Sequence, residues 1–342
     1  MLISLLQKQI PLIDLRAPIE FSKGAMPTST NLPILFDDER ELVGTTYRKL
    51  GKESATELGY SLVKDKTKEE RVQSWVTFIN DNPKSHLYCA RGGQRSEIAQ
   101  NWLSEIGLDI PRVKGGFKLL RNTCMNILEE AFEDSKKWII IAGKTGSNKT
   151  GLISKFTNGI DLETLANHRG SAFGGFPSPQ PPPISFENSL ACKYLNTTNR
   201  IILFEDESRA IGRLVIPEKF YNRMINSEII IIDQPLQQRV DHIYNEYVAN
   251  ALTYQSLDSL RNKLRRQLEK ISKRLGMDNF KIIDNQISIA FQRNDKNEHY
   301  QWIQQLLQNY YDKMYDYQLE KKKSRCIYKG SWDDVEEYIT KL

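Results

Sequence analysis

Residues 136–150, KKWIIIAGKTGSNKT, decide the fold of the second half of this chain. An apolar run leads directly into a glycine turn, and Lys149 and Thr150 follow the turn. A strand, a glycine turn and a helix start in this order are typical of a phosphate-binding loop, whose backbone N–H groups surround a phosphate while the lysine adds positive charge. The predicted diphosphate-binding residues are Gly143, Thr145, Gly146, Ser147, Asn148, Lys149 and Thr150.

One position departs from the pattern G-x-x-x-x-G-K-T, because Asn148 stands where a glycine precedes the lysine. Asparagine is among the few residues other than glycine that visit the left-handed region of backbone space. We therefore expect the loop to form, and the substitution puts its affinity for phosphate in question.

Two further apolar runs, RIILFED and EIIIID, predict buried strands of a parallel sheet. The stretch between the phosphate loop and RIILFED is rich in proline at 177–183 and predicts a long loop of functional interest. An acidic group at the end of RIILFED could bind a metal or act in catalysis, as in nucleotide hydrolases. The predicted cleft residues are His168, Arg169, Ser171, Glu205, Glu207, Ser208 and Arg209.

A second anion-binding loop lies in the first third of the chain, at residues 88–96, YCARGGQRS. Cys89 ends the predicted strand SHLYC and precedes the predicted helix SEIAQNWLSEIG. Positive charge and aligned N–H groups stabilise a thiolate, and this loop offers two glycines for a tight curl together with Arg91 and Arg95. We predict that Cys89 is a nucleophile, with both arginines in the same site.

The composition limits the class of protein. The 342 residues include 39% hydrophobic and 27% charged residues, which is ordinary for a soluble chain of two domains. We expect a cytoplasmic protein, because no apolar run suggests a membrane span or a signal peptide. The four cysteines and four histidines are scattered, so we expect no structural metal.

Most of the excess positive charge, +5 overall, is concentrated in one segment near the C-terminus. Such a segment can neutralise nucleic-acid phosphates, although a solvated helix face would have the same composition. The candidate nucleic-acid-binding residues are Arg261, Lys263, Arg265, Arg266, Lys270, Lys273 and Arg274.

The opening of the chain resembles a rhodanese domain. The resemblance rests on Asp14-Leu15-Arg16, on Glu20-Phe21, on residues 24–27, GAMP, and on residues 31–33, NLP. Cys89 falls where rhodaneses carry sulfane sulfur as a persulfide. The five residues between Cys89 and Arg95 exceed the usual sulfurtransferase loop and equal that of dual-specificity phosphatases of the same fold, so a phosphatase or a carrier of a larger atom stays open.

The two loops in one chain are similar to those of the tRNA 2-selenouridine synthase family. The stretches DDERELVGTTYRKLG, VKGGFK, HRGSAFG, FENSL and EDESRAIGRLVIP sharpen this resemblance. It implies geranylation of wobble 2-thiouridine from geranyl diphosphate and then replacement of the S-geranyl group by selenium from selenophosphate. The implied partners are tRNAs for lysine, glutamate and glutamine, with selenophosphate synthetase as a donor partner; no tightly bound cofactor is implied, and a role for magnesium is left open.

The predicted fold class is α/β, with a rhodanese-like parallel-sheet domain at 1–133 and a P-loop NTPase-like α/β domain core at 134–236. A basic, helical C-terminal region at 237–342 follows. Three alternative functions are a nucleotide-consuming tRNA thiolation enzyme with a rhodanese sulfur donor, a cysteine-dependent phosphatase, and an RNA-binding module without catalysis.

Overall fold

The computed structural model describes residues 2–342 as two compact units. The first unit consists of Met1–Ala131 together with Pro181–Asn196, and the second consists of Phe132–Gln180 together with Thr197–Leu342. Both units are mixed α/β structures with parallel sheets, which confirms the predicted class at that level. The finer prediction of a rhodanese-like first unit stays a prediction.

The strands of the described chain are short, and the α-helices range from single turns to the helix Asp37–Leu62, which is kinked at Gly51. The strands are β1 (Leu12–Asp14), β2 (Ser29–Asn31), β3 (His86–Tyr88), β4 (Lys137–Gly143), β5 (Gly159–Ile160), β6 (Ile201–Glu205), β7 (Ala210–Ile211), β8 (Leu214–Val215), β9 (Glu228–Ile232) and β10 (Cys326–Gly330). The helices are α1 (Leu2–Gln7), α2 (Pro18–Phe21), α3 (Asp37–Leu62), α4 (Asp65–Asp81), α5 (Gln94–Ser104), α6 (Gly116–Glu130), α7 (Lys149–Ser154), α8 (Leu162–Ala166), α9 (Pro183–Asn196), α10 (Glu218–Asn226), α11 (Leu236–Tyr244), α12 (Leu257–Leu275), α13 (Met277–Arg293), α14 (Lys296–Leu306), α15 (Asp312–Lys322) and α16 (Trp332–Thr340).

The first unit is built on a three-stranded parallel sheet in the order β2-β1-β3. Trp75 and Trp102 stack in the core beside this sheet, with their rings 6.1 Å apart. An ion pair between Asp14 and Arg16 is buried at the end of β1 and spans 2.6 Å. The hydroxyl of Tyr88 donates to the same aspartate over 2.7 Å, so these polar groups connect two neighbouring strands.

The sheet of the second unit has five parallel strands in the order β10-β9-β4-β6-β5. The central strand β4 is buried from its second residue onward, and β6 and β9 flank it with isoleucine and leucine. This burial explains why the three strands read as continuous apolar runs in the sequence, as expected of a covered parallel sheet.

The C-terminal region is mostly helical, as predicted, but it also contains a strand, β10, near its end. Helices α11 to α14 enclose their own apolar core around Leu264, Leu268 and Trp302. The chain then adds β10 to the edge of the sheet, and α16 packs against β9 and β10. The predicted helical extension therefore differs from the structure at 326–330, because the strand pairs with β9 rather than standing apart.

The segment Pro181–Asn196 belongs to the first unit, although the predicted phosphate-loop domain at 134–236 included it. The long loop predicted here ends at Pro183, where α9 begins, because proline is well tolerated at the first position of a helix. Helix α9 packs on α6, and Asn188 on α9 accepts from Arg121 over 2.9 Å. Sequence proximity alone would not place this helix there.

No helix within residues 2–342 is long and apolar enough to cross a membrane.

We predict that Arg16→Met destabilises the first unit strongly. Asp14 and Arg16 are 0% and 5% exposed, so the substitution leaves an uncompensated buried carboxylate, at a cost of about 3–5 kcal/mol. Urea unfolding followed by tryptophan fluorescence measures the change. The control is Lys66→Met, which removes an ion pair with Glu70 at the surface and should cost less than about 1 kcal/mol. Equal effects of the two substitutions would contradict a bracing role for the buried pair.

Candidate functional site

The phosphate loop connects β4 to α7 and has the left-handed backbone that such a loop requires. Asn148 has φ 56° and ψ 43°, and Gly146 has φ 85°. Asparagine tolerates this conformation through its short polar side chain. The structure therefore forms the loop with asparagine at the position where the pattern has glycine.

Residues from the C-terminal region hold the phosphate loop by donating hydrogen bonds to its carbonyl groups. The guanidinium of Arg239 on α11 donates to the carbonyl of Thr145 over 2.9 Å and also pairs with Asp312, with a shortest distance of 2.5 Å. The indole of Trp332 donates to the carbonyl of Asn148 over 3.1 Å. Arg239 is only 3% exposed, so its guanidinium is used by these contacts and does not face solvent.

Lys149 and Ser147 point their polar groups into the loop. The Lys149 ammonium donates to the carbonyl of Gly143 over 3.2 Å. Burial lowers the pKa of Lys149, but nearby Tyr315 and Glu207 outweigh burial and raise that pKa above its usual value. The hydroxyl of Ser147 is buried and has no hydrogen-bond partner among the described residues. The loop thus holds a charged donor and a free hydroxyl, as an anion site requires.

The acid at the end of β6 has a positioning role that the sequence did not reveal. One oxygen of Glu205 accepts from the Thr150 hydroxyl over 2.5 Å, and the other accepts the backbone N–H groups of Leu162 and Glu163 over 3.0 and 3.1 Å. Glu205 is fully buried and does not line the cavity described below. It connects the phosphate loop to the start of α8.

The carboxyl groups near the loop resist ionisation. Burial raises the pKa of Glu207 to about 8, and the charge of Glu163 adds to this rise. Burial likewise raises the pKa of Glu163 and Glu205. Glu207 is therefore mostly protonated at neutral pH, and the site repels a bound anion less than three carboxylates would.

A cavity of about 1000 Å³ opens beside the phosphate loop within the second unit. Lys149, Thr150 and Glu207 are among its polar lining residues, and a set of aromatic and apolar side chains, called the aromatic wall below, lines it as well. The wall residues are Phe176, Tyr247, Ile271, Tyr310, Tyr311, Met314 and Tyr315. The cavity can hold an anionic group joined to a flat or apolar group.

Two π-helical turns supply part of this wall. Tyr247 lies in the turn Asn245–Ala249, and Tyr310 and Tyr311 lie in the turn Leu307–Tyr311. Such turns are rare and occur often at functional sites, because the extra residue shifts side chains out of the regular helix phase. The sequence contains no signal for them, so the aromatic wall was missed in the sequence analysis.

The segment HRGSAFG forms a tight hairpin at the cavity. The Arg169 guanidinium lies 4.3 Å from the Phe176 ring centroid and 4.9 Å from that of Tyr247, and it pairs with Glu246 at 2.9 Å. Ser171 lies within 3.3 Å of the Tyr247 hydroxyl. These contacts hold Arg169 and Ser171 at the cavity.

The other predicted cleft residues divide into two groups. Ser208 and Glu207 line the cavity, as Arg169 and Ser171 do. His168 and Arg209 are not among the lining residues, and Arg209 lies at the surface, 3.6 Å from Glu218.

The cysteine loop follows β3 and curls against the turn before α6. A side chain at Gly116 would come within 2.2 Å of the Cys89 carbonyl, so only glycine allows this contact. The amide of Phe117 donates to the same carbonyl over 2.9 Å, and the amide of Lys118 donates to Ala90 over 3.0 Å. The stretch VKGGFK therefore shapes the cysteine loop, although it lies more than twenty residues away in sequence.

The Cys89 thiol is buried beside the start of α5. Its Sγ lies 3.4 Å from the hydroxyl of Ser96, which itself donates to Gly93 over 2.8 Å. Burial raises the pKa of Cys89, but hydrogen bonds from Ser96 and the charge of Arg95 outweigh burial and lower that pKa below its usual value. A lowered pKa raises the fraction of thiolate, which is the form of cysteine that reacts as a nucleophile.

The two arginines of the cysteine loop are placed differently. Arg95 pairs with Glu20 at 2.6 Å and is three quarters buried. Arg91 is exposed. In the described chain, Arg91 has no ion pair, so it is available to an incoming anion.

The basic segment forms one side of α12, and its members differ in how far they are engaged. Arg261 pairs with Asp258, Arg265 pairs with Asp284, and Lys263 donates to the carbonyl of Gly175. The remaining four form no ion pair in the part of the chain that the structure describes, and they are Arg266, Lys270, Lys273 and Arg274. Arg274 also lines the cavity, so the free positive charge reaches the phosphate-loop site.

Within residues 2–342, no group of three or more His, Cys, Asp or Glu side chains is arranged to hold a metal ion.

These features define a class of protein: an α/β chain with a strand, glycine turn and helix in the order of a phosphate loop, a cavity lined partly by tyrosines, and a buried cysteine whose pKa is lowered. Residues 136–342 match the family model described as the tRNA 2-selenouridine synthase AAA domain. The chain belongs to the tRNA 2-selenouridine synthase family, and the resemblance found in the sequence is confirmed.

The relatives are similar over nearly their whole length. A tRNA 2-selenouridine synthase of Shewanella frigidimarina is 43% identical, with 98% of this chain and 96% of the relative aligned. That of a Sulfurovum species is 41% identical, with 98% of this chain and 96% of the relative aligned. That of Nitrosomonas europaea is 39% identical, with 96% of this chain and 94% of the relative aligned. The solved structure of an N-terminal domain from Clostridium difficile 630 aligns with 33% of this chain and 88% of its own, at 30% identity and a TM-score of 0.31.

We predict that Asn148→Val weakens the binding of inorganic pyrophosphate about tenfold, whereas Asn148→Gly keeps it within about twofold. The left-handed conformation costs a β-branched residue about 1–2 kcal/mol, and the loop relaxes to avoid this cost. Isothermal titration calorimetry measures the dissociation constant of pyrophosphate for each variant. The control is Asn294→Val, since Asn294 has φ 50° at the end of α13 and does not line the cavity. Equal affinities of Asn148→Val and Asn148→Gly would contradict this dependence on backbone conformation.

We predict that Ser96→Ala moves the alkylation of Cys89 by iodoacetamide to higher pH. The substitution removes the hydrogen bond from the Ser96 side chain, which is one of the contacts that lower the pKa of Cys89, so less thiolate is present at a given pH. The rate of modification as a function of pH, read by mass spectrometry of the Cys89 peptide, gives the midpoint. Ser104→Ala, at the exposed end of the same helix, is the control. An unchanged midpoint in Ser96→Ala would show that Ser96 does not activate the thiol.

Proposed function

We propose that this chain is a tRNA 2-selenouridine synthase that acts in two steps on the wobble 2-thiouridine of tRNA. In the first step it transfers a geranyl group from geranyl diphosphate to the uridine sulfur. In the second step selenium from selenophosphate replaces the S-geranyl group, so that the uridine sulfur leaves as geranylthiol and phosphate is released. The observation that carries the proposal is the single cavity that joins the phosphate loop to an aromatic wall.

The polar lining residues of the cavity suit the diphosphate of the first substrate. The backbone of the loop, the Lys149 ammonium and the Thr150 hydroxyl stabilise negative charge that grows on the leaving group. Protonation of Glu207 limits electrostatic repulsion of the diphosphate. In this role the loop requires no hydrolysis of a nucleotide.

The aromatic wall suits the other half of the same substrate. Apolar side chains cover a geranyl chain, and tyrosine faces stabilise positive charge that develops on the allylic carbon as the carbon–oxygen bond breaks. The uridine sulfur then forms the new carbon–sulfur bond, and diphosphate leaves. Tyr315, whose ring centroid lies 5.7 Å from the Lys149 ammonium, connects the aromatic wall to the polar lining residues.

The cysteine loop suits the selenium step. The lowered pKa of Cys89 favours a thiolate that carries or directs selenium. The exposed Arg91 offers charge to a selenophosphate anion, and Arg95 acts on the thiol from a fixed position. Alkylation in the first step turns the uridine sulfur into a better leaving group for this exchange.

The basic side of α12 suits the tRNA backbone. Arg266, Lys270 and Lys273 are exposed without ion pairs, and Arg274 links them to the cavity. Contacts with phosphates fix the position of a nucleic acid without reading its sequence. We propose tRNAs for lysine, glutamate and glutamine as substrates and selenophosphate synthetase as the donor partner.

The test is to identify the wobble nucleoside in cells that lack this protein and are supplied with wild type, Cys89→Ser or Lys149→Ala. Mass spectrometry of digested tRNA should find 2-selenouridine with wild type and 2-thiouridine with Lys149→Ala, because the first step then lacks its charged donor. With Cys89→Ser it should find accumulated S-geranyl-2-thiouridine, because only the second step is blocked.

Matched controls are Lys155→Ala, at the exposed end of α7, and Cys326→Ser, in β10; both should restore 2-selenouridine. Normal 2-selenouridine with both Lys149→Ala and Cys89→Ser would refute the proposal. Turnover of ATP or GTP that is required for modification and depends on Lys149 would instead support the thiolation alternative.

A further inference from the structure

A second, smaller cavity lies in the first unit, beside the helix that follows the cysteine loop. Its volume is about 110 Å³. Helix α3 and helix α5 form two of its sides, and Ile34 and Leu35 close a third. None of the predicted site residues lies on α3.

The surface of this cavity is apolar apart from one edge. Val43, Ile98 and Trp102 contribute hydrocarbon and ring surface to its interior. The polar edge contains Thr56, Gln94 and the charged Arg95, and the Gln94 amide donates to the Thr56 hydroxyl over 2.6 Å. Since these two groups satisfy each other, the cavity favours a ligand that is mainly hydrocarbon.

Small residues keep the cavity open at a cost to the helix that lines it. Gly59 lies inside α3, where glycine is less favourable than alanine. A Cβ atom added at Gly59 would meet only Val43, at a comfortable 3.9 Å. Ala55, one turn earlier, also lines the cavity. A larger residue would fit the backbone at Gly59, so the space is not imposed by backbone geometry.

Arg95 connects this cavity to the cysteine loop. Its side chain lines the cavity, and its charge acts on the Cys89 thiol. It is held by Glu20, at 2.6 Å. A hydrocarbon chain in the cavity would therefore have its attached polar group near the cysteine loop.

We infer that this cavity binds the prenyl chain of the S-alkylated uridine during the selenium step, an inference that rests on the proposed function. A group the size of water needs about 10–15 Å³, so the cavity has room for a chain of several carbon atoms. The bound prenyl chain would anchor the alkylated uridine while the uridine ring carbon that bears the sulfur faces the selenium donor. The same cavity would favour the alkylated uridine over unmodified 2-thiouridine.

The test uses the full chain and two anticodon stem-loops, one with S-geranyl-2-thiouridine and one with S-methyl-2-thiouridine. Fluorescence anisotropy gives the dissociation constant of each, and selenation with selenophosphate gives each KM. Wild type should prefer the S-geranyl stem-loop. Gly59→Leu fills the cavity and should reduce this preference at least about tenfold, since burial of about two methylene groups accounts for such a ratio.

Ser61→Leu is the matched control, because it adds the same side chain to the exposed side of the same helix and should leave the preference unchanged. Thermal unfolding checks each variant, and Ala55→Leu fills the same cavity from the next turn if Gly59→Leu does not fold. An unchanged preference in a folded cavity-filling variant overturns the inference.

Failure of this inference is distinguishable from failure of the proposed function. If wild type forms neither S-geranyl-2-thiouridine from geranyl diphosphate nor 2-selenouridine, the proposed function fails. The effect of Gly59→Leu on the binding preference between the two stem-loops, which needs no turnover, then still decides what the cavity binds. If wild type performs both steps and also lacks a preference for the S-geranyl stem-loop, only the inference is wrong.

Discussion

Both predicted anion-binding loops depend on left-handed backbone at a few fixed positions. In the phosphate loop these positions are Gly146 and Asn148, and at the cysteine loop they are Gly92 and Gly116. Only such a backbone turns successive N–H groups toward one point, and only a missing side chain at Gly116 lets the next turn approach the Cys89 carbonyl. In each unit, a strand precedes the loop and a helix follows it, and these two elements fix where the loop lies.

The phosphate loop also depends on residues that lie far along the chain. The buried pair of Arg239 and Asp312 holds the Thr145 carbonyl, and Trp332 holds that of Asn148. The same C-terminal region supplies the tyrosines of the cavity wall. This region therefore completes the site as well as offering a basic helix, and its helices and its last strand act as parts of one unit.

Charge is balanced in a similar way at both loops. Near the phosphate loop, burial keeps Glu207 mostly protonated while Lys149 stays charged, so the local balance favours an anion. At the cysteine loop, Glu20 fixes Arg95, and the arginine together with Ser96 favours the thiolate. In each case a carboxyl group that would oppose anion binding is neutralised or paired.

The sequence by itself determined the parallel α/β class, the two loops and the family, because these depend on short local patterns: an apolar run, a glycine turn and a charged residue at a fixed spacing. It also predicted left-handed backbone at Asn148 from residue chemistry alone. Only the tertiary structure decided that Glu205 is a buried brace, that α9 packs with the first unit, and that π-helical turns bring tyrosines to the cavity. These features depend on contacts between residues far apart in the chain, and no local pattern encodes which distant side chains will meet.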